Sequence, residues 1–205
     1  EEFKNINVIH QSTSKTNINF TNKKKIISFV GKLNSSKGYD VFGKAIIKIL
    51  DKYEDWSSVV IGDEPRQKFF FKHKNLNHMG FKNNSYILKK LKEVSIAVVP
   101  SKWDEPFGRS SLEAASRGCA LIISNTGGLS ETTNNALIIK EITVNNLYKK
   151  IEFLIKDKIY RQKLQKKAYK NFKLTNEYST KLIDNLRFEL INKNVNVSTT
   201  NNKYI

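Results

Sequence analysis

Little in this chain supports covalent or metal-based cross-linking. A single cysteine, Cys119, excludes an internal disulfide framework and metal clusters of the cysteine type. It fits a reducing compartment, and we expect a cytoplasmic protein. Methionine is equally scarce: Met79 stands alone, residue 1 is Glu, and the first stretch is polar. We therefore expect no secretory signal, and a piece of a longer protein. No apolar run approaches the length a bilayer-spanning helix needs. Acids are outnumbered, 19 Asp and Glu against 36 Lys and Arg, for a net charge of +17. Such a balance invites a nucleic-acid reading. Most of the excess is lysine, however, scattered among abundant Asn and Ile. A phosphate-tracking surface clusters its charge and includes arginine. We expect solvated helix faces and no specific nucleic acid; a peripheral contact with an anionic membrane, at its inner face, stays open.

What is present is 39% apolar residues, enough for a core. Residues 1–24 are polar and Asn- and Lys-rich, and read as a linker or the tail of a preceding domain. Short apolar runs follow: Ile26 to Val30, "SSVVIGDE", the weaker "LNHMGF", "SIAVVPS", "ALIIS" and "ALIIK". Each suits a strand buried on both faces. Helical spacing lies between them, in "GYDVFGKAIIKILDKY" with Ser36 as its expected cap, in "YILKKLKEV" capped by Asn84 or Ser85, and in a helix opening near Gly108 and stopping at Gly118. From about Thr143 to Asn192, where Gly and Pro are absent, the spacing predicts helices; residues 193–205 read as a frayed tail. The expectation is an α/β fold over 25–192: a Rossmann-like parallel sheet of about six strands, helices on both faces and a helical C-terminus.

Ligands of such sheets bind outside the carboxyl ends of the strands. Glycine and polar residues collect there, at Gly31-Lys32, Gly62-Asp63, Gly80-Phe81, Ser101 through Gly108, and Thr126-Gly127-Gly128. The stretch "EPFGRSSLE" opens a helix at that rim. Its first N–H groups lack intrahelical partners and its dipole is positive there, a ready site for phosphate or sugar hydroxyls. Gly108 allows close approach to the backbone, and Pro106 fixes the loop's path. Glu105 lies in the loop and Glu113 about one and a half turns into the helix. Two acids flanking a phosphate-binding mouth suit a ligand with hydroxyls at both ends and phosphate between, the shape of a nucleotide sugar. Lys32 and Lys37 bring cations to the same rim. His10, His73 and His78 read as surface or packing residues, and Trp103 and Asp104 receive no role.

"EPFGRSSLEAASRG" resembles the Glu-x7-Glu signature of glycosyltransferase family 4, the group 1 retaining transferases with the GT-B fold. "SFVGKLNSSKGYDVF", "VVIGDEP", "HMGF", "AVVPSKWDEPFG" and "TGGLSE" fall in that family's order, over about Ile26 to Ile155. The resemblance implies the second of two Rossmann-like domains, which binds the donor. It implies that Glu105 holds donor-sugar hydroxyls, that the backbone of Phe107 and Gly108 contacts sugar and phosphate, and that Glu113 holds the ribose. Lys32 and Lys37 would neutralise the diphosphate, and Gly80, Phe81 and Lys82 would frame the base. Gly31, Pro106 and Arg109 belong to the same expected site. No metal and no cofactor beyond the nucleotide diphosphate sugar is implied. The family usually carries Arg where this chain has Lys32, a point charge without Arg's bidentate fork.

The expected activity is transfer of a sugar to an acceptor such as a cell-envelope glycan or glycolipid. The missing N-terminal Rossmann-like domain would hold that acceptor, so this chain alone should be inactive. Two other classes stay open: a non-catalytic nucleotide-sugar-binding module, and a basic protein that binds polyanions or membrane surfaces.

Overall fold

The computed structural model describes residues 6–67 and 69–201. It contains two compact units, Lys15–Phe172 and a second made of residues up to Ser14 with residues from Lys173 on.

The larger unit holds six parallel strands: β1 (Lys24–Val30), β2 (Ser57–Ile61), β3 (Leu76–His78), β4 (Val94–Val99), β5 (Ala120–Ser124) and β6 (Ala136–Ile139). Their order is β3-β2-β1-β4-β5-β6. The chain leaves the centre in one direction after β1 and in the other after β4, so the strand order reverses between these two neighbours. In register, Ile27 pairs with Ile96 and Phe29 with Val98. Side chains alternate between faces along a strand. Ile27, Phe29, Ile96, Val98 and Ile122 join one buried cluster with α1 (Tyr39–Lys52) and α4 (Val144–Lys156). Ala97, Leu121 and Ile123 alternate with these and are equally buried, and α3 (Arg109–Ser116) packs against β4 and β5. The other α-helices of this unit among the described residues are α2 (Asn84–Leu91) and α5 (Lys158–Lys170). The sheet is thus the expected Rossmann-like α/β arrangement.

Several boundaries differ from expectation. Residues 15–24 are not a linker but part of the sheet-bearing unit. The Lys23 ammonium donates to the carbonyls of Leu91 (3.0 Å), Val94 (2.8 Å) and Arg117 (2.7 Å), closing the N-terminal edge of the sheet. Phe20 meets the Tyr169 ring edge-on, and the Tyr169 hydroxyl donates to the Thr16 carbonyl. Local patterning missed this segment because its ties come from isolated residues without apolar periodicity. Helix α1 starts at Tyr39 behind Gly38, whose φ of 71° gives the left-handed turn, so Ser36 does not cap it. Asn83, rather than Asn84 or Ser85, caps α2 by accepting from the Tyr86 N–H. "GGLSET" folds as a short 3-10 helix rather than an open loop.

In the smaller unit Thr13 forms an isolated parallel bridge with Thr175, and α6 spans Asn176–Asn201. The tail expected from residue 193 therefore lies partly within a helix, and 202–205 fall outside the described residues. Among the described residues no helix is long and apolar enough to cross a membrane.

Candidate functional site

The loop after β1 is built around Asn34. Its side-chain oxygen accepts from the Lys37 N–H (3.0 Å) and its carbonyl from the Tyr39 N–H (3.1 Å). Its amide donates to Glu64 at 3.3 Å. Arg66 grips the Glu64 carboxylate through Nε (2.7 Å) and Nη2 (3.0 Å), pulling its pKa down to about 2. Ser36 then ties this loop to the one after β4: its carbonyl accepts from the N–H groups of Lys102 (2.8 Å) and Trp103 (3.1 Å). Asn34 and Glu64 escaped the sequence reading because a lone Asn or Glu in a loop carries no periodic signal.

These ties bring Lys37 to Glu105. The ammonium lies 2.5 Å from Oε1, and the Glu105 side chain is only 10% exposed. Both line a pocket of 130 Å³ with Val30 and Gly31 at the end of β1, Val99 and Ser101 at the end of β4, and Gly108, Arg109 and Ser110 at the start of α3. The pocket sits where the strand order reverses, the usual ligand position in open α/β sheets. Ser110 fastens α3 to β1 by donating to the Val30 carbonyl at 2.8 Å. A larger cavity of 460 Å³, beside β6 and α4, is lined by none of the expected site residues.

The Glu105 loop is supported from behind by Gly127 and Gly128. The Gly128 N–H donates to the Glu105 carbonyl at 2.7 Å. A Cβ on Gly127, where φ is 51°, would fall on the Glu105 backbone. The sequence offered these two glycines only as another rim loop; their packing against Glu105 came with the fold.

Glu113 occupies a second position outside the pocket lining. Its side chain is only 4% exposed. Oε1 accepts from Arg109 Nε one turn earlier (2.9 Å) and from Asn84 Nδ2 at the start of α2 (2.6 Å). Phe81, at the end of β3, is 74% exposed, and the Lys82 ammonium lies 5.5 Å from the Tyr86 ring centroid. Pro106 is exposed while Phe107 is buried. Lys32 is exposed, outside the pocket lining, and its ammonium has no ion pair or hydrogen bond among the described residues. Of the expected residues, the fold therefore gathers Gly31, Lys37, Glu105, Gly108 and Arg109 around one pocket, and sets Glu113 beside the Phe81-Lys82 turn through Asn84. His78 packs edge-on to the Tyr39 ring. No cluster of three or more His, Cys, Asp or Glu suited to a metal occurs among the described residues.

Residues 11–171 match the family model of glycosyl transferases group 1. The chain belongs to that family. This group 1 chain is 32% identical over 115 residues to an uncharacterized glycosyltransferase of Methanocaldococcus jannaschii, covering 52% of the chain and 29% of that protein. It is 29% identical over 127 residues to the 2-deoxystreptamine N-acetyl-D-glucosaminyltransferase of Niallia circulans, covering 58% and 32%. The group 1 chain thus matches about a third of the length of these curated relatives. Among solved structures it is similar to the C-terminal domain of a group 1 glycosyl transferase, LpcC, from Francisella tularensis (28% identity, TM-score 0.63, 71% of this chain and 82% of that one). The fold is also that of Anabaena HepE, solved with UDP-glucose (16% identity, TM-score 0.66, covering 80% and 49%).

Proposed function

We propose that this chain is the donor-binding half of a retaining, family 4 glycosyltransferase that uses a nucleotide diphosphate sugar and no metal. The observation that carries the reading is the convergence of Lys37, Glu105 and the first turn of α3 on one pocket at the reversal of strand order. Lys37 is paired with the Glu105 carboxylate, a partner whose side chain can turn away. When a diphosphate enters, Lys37 turns to its oxygens, and the α3 N–H groups supply further donors. The freed Glu105 carboxylate accepts from hydroxyls of the donor sugar. Lys37 and the helix terminus then stabilise charge growing on the departing diphosphate, which is the catalytic step this half supplies. Lys32 stands at the mouth as a second cation. Glu113 takes the ribose, with Phe81 and Lys82 at the base. HepE, whose structure holds UDP-glucose on the same fold, supports this choice of donor class.

The acceptor belongs to a preceding domain, and a cell-envelope glycan or glycolipid handled at the inner face of the membrane fits the reading. Without that domain no acceptor hydroxyl is held at attack distance, so this chain alone should not transfer sugar. The test is calorimetry with UDP, GDP, ADP and their sugars. Glu113→Gln should weaken free nucleotide and nucleotide sugar alike, since ribose is in both. Glu105→Gln should weaken only the sugar-bearing ligand. Absence of nucleotide binding, with salt-sensitive binding of any polyanion instead, would overturn the proposal.

A further inference from the structure

Two hydrogen bonds hold the carboxylate of Glu113, both at one oxygen, and the buried Arg117 guanidinium attracts it electrostatically. Arg109 and Asn84 both donate to Oε1, and Oε2 accepts no hydrogen bond among the described residues. Of the two donors, Arg109 is a long side chain, 66% exposed, on the same helix as its acceptor. Asn84 is short, comes from a different helix, and makes the closer contact at 2.6 Å. Its own backbone is fixed: Asn83 caps α2, which starts at Asn84 directly after the Phe81-Lys82 turn. The Asn84 amide therefore joins the segment at the end of β3 to the buried acid on α3.

We infer that Asn84 is a positioning residue for nucleotide recognition: it clamps Oε1 of Glu113 so that Oε2 stays aimed at the ribose hydroxyls. This rests on the ribose role proposed for Glu113. With the clamp removed, Glu113 keeps its charge but rotates between acceptor positions, and the hydroxyls lose a preorganised partner. Arg109 alone cannot restore the aim, because its exposed side chain moves with the carboxylate it follows.

The test compares nucleoside diphosphates with their 2′,3′-dideoxy counterparts by calorimetry, across UDP, GDP and ADP. In the unmodified chain the ribose form should bind more tightly. Asn84→Ala should shrink that preference about tenfold, the size of one charge-assisted hydrogen bond, while leaving dideoxy affinity nearly unchanged. A merely structural role would lower both affinities together. In the Asn84→Ala/Glu113→Gln double variant the two losses should not add, because both act through one carboxylate. If Glu113→Gln abolishes the ribose preference and Asn84→Ala preserves it, the inference about Asn84 fails and the role of Glu113 stands. If the unmodified chain does not distinguish the two sugars, both readings fall.

Discussion

Lys23 and Lys37 stand at opposite edges of the same sheet, and their ammonium groups meet different oxygens. Lys23, before β1, is surrounded by three backbone carbonyls and lies 3.7 Å from the Cys119 sulfur, with no carboxylate paired to it among the described residues. Burial lowers its pKa below the usual lysine value and raises that of Cys119 above the usual thiol value. Lys37, after β1, meets one carboxylate at the wall of a pocket. Backbone carbonyls cannot turn away without unmaking helix ends and strand starts, so the Lys23 contacts are permanent. A glutamate side chain can turn, so the partner of Lys37 is exchangeable. The same residue type serves as a structural tie at one edge and as the pocket-side partner of a carboxylate at the other.

The sharpest way to break this contrast is Lys23→Met. It keeps the bulk but leaves three carbonyls without their donor, and should lower unfolding stability by roughly 4 kcal/mol in urea titration. Nucleotide affinity of the folded fraction should not change; a parallel loss of affinity would erase the distinction between the edges. Gly127→Ala should cost roughly 2–3 kcal/mol, because the new Cβ falls on the Glu105 backbone at a left-handed φ. It should also weaken nucleotide sugars more than free nucleotides, as the Glu105 loop shifts. Lys37→Ala is the converse of Lys23→Met. Calorimetry should show a loss of roughly 1.5–3 kcal/mol in nucleoside diphosphate affinity, in protein that remains folded. Equal affinity in variant and parent would remove Lys37 from the phosphate site.

The smallest effect tests an ion pair with no ligand role. Glu152 on α4 accepts from Lys52, Tyr53 and Tyr148, and the bond from Lys52 is the main reason its pKa falls to about 2. Its folded pKa lies below the unfolded one. Its contribution is therefore complete above the ordinary carboxylate range and is lost as pH falls from about 4.5 towards 2. Glu152→Gln should flatten the acid limb of stability in that window and leave the alkaline side unchanged. An identical acid limb in both proteins would show that the cluster carries no coupling between α1 and α4.

Much of this was legible in the residues. Ile26 to Val30, "SSVVIGDE" and "ALIIS" appear as β1, β2 and β5, with β1 starting two residues earlier at Lys24 and β2 ending at Ile61, before its Gly62-Asp63 turn. Glycine-rich strand ends marked the rim, and the spacing of Glu105 and Glu113 marked the helix mouth. Three features were not legible. Lys23 was lost in a lysine-rich stretch, because one more lysine carries no signal. Asn84 was read as a cap, since an Asn before an apolar helix ordinarily is one, but Asn83 takes that place. The supporting role of Gly127 and Gly128 depends on the Glu105 loop lying against them.

The sequence by itself determined the alternation of strands and helices, the parallel sheet that follows, and the edge of it where polar residues gather. Those properties are local: apolar periodicity and glycine positions act within a few residues and add up along the chain. Only the tertiary structure decided the strand order, the Lys37–Glu105 pair across 68 positions, the Lys23 tie and the Asn84 clamp on Glu113. A hydrogen bond needs its partners within about 3 Å, and which distant groups come that close is set by the order in which the strands lie side by side.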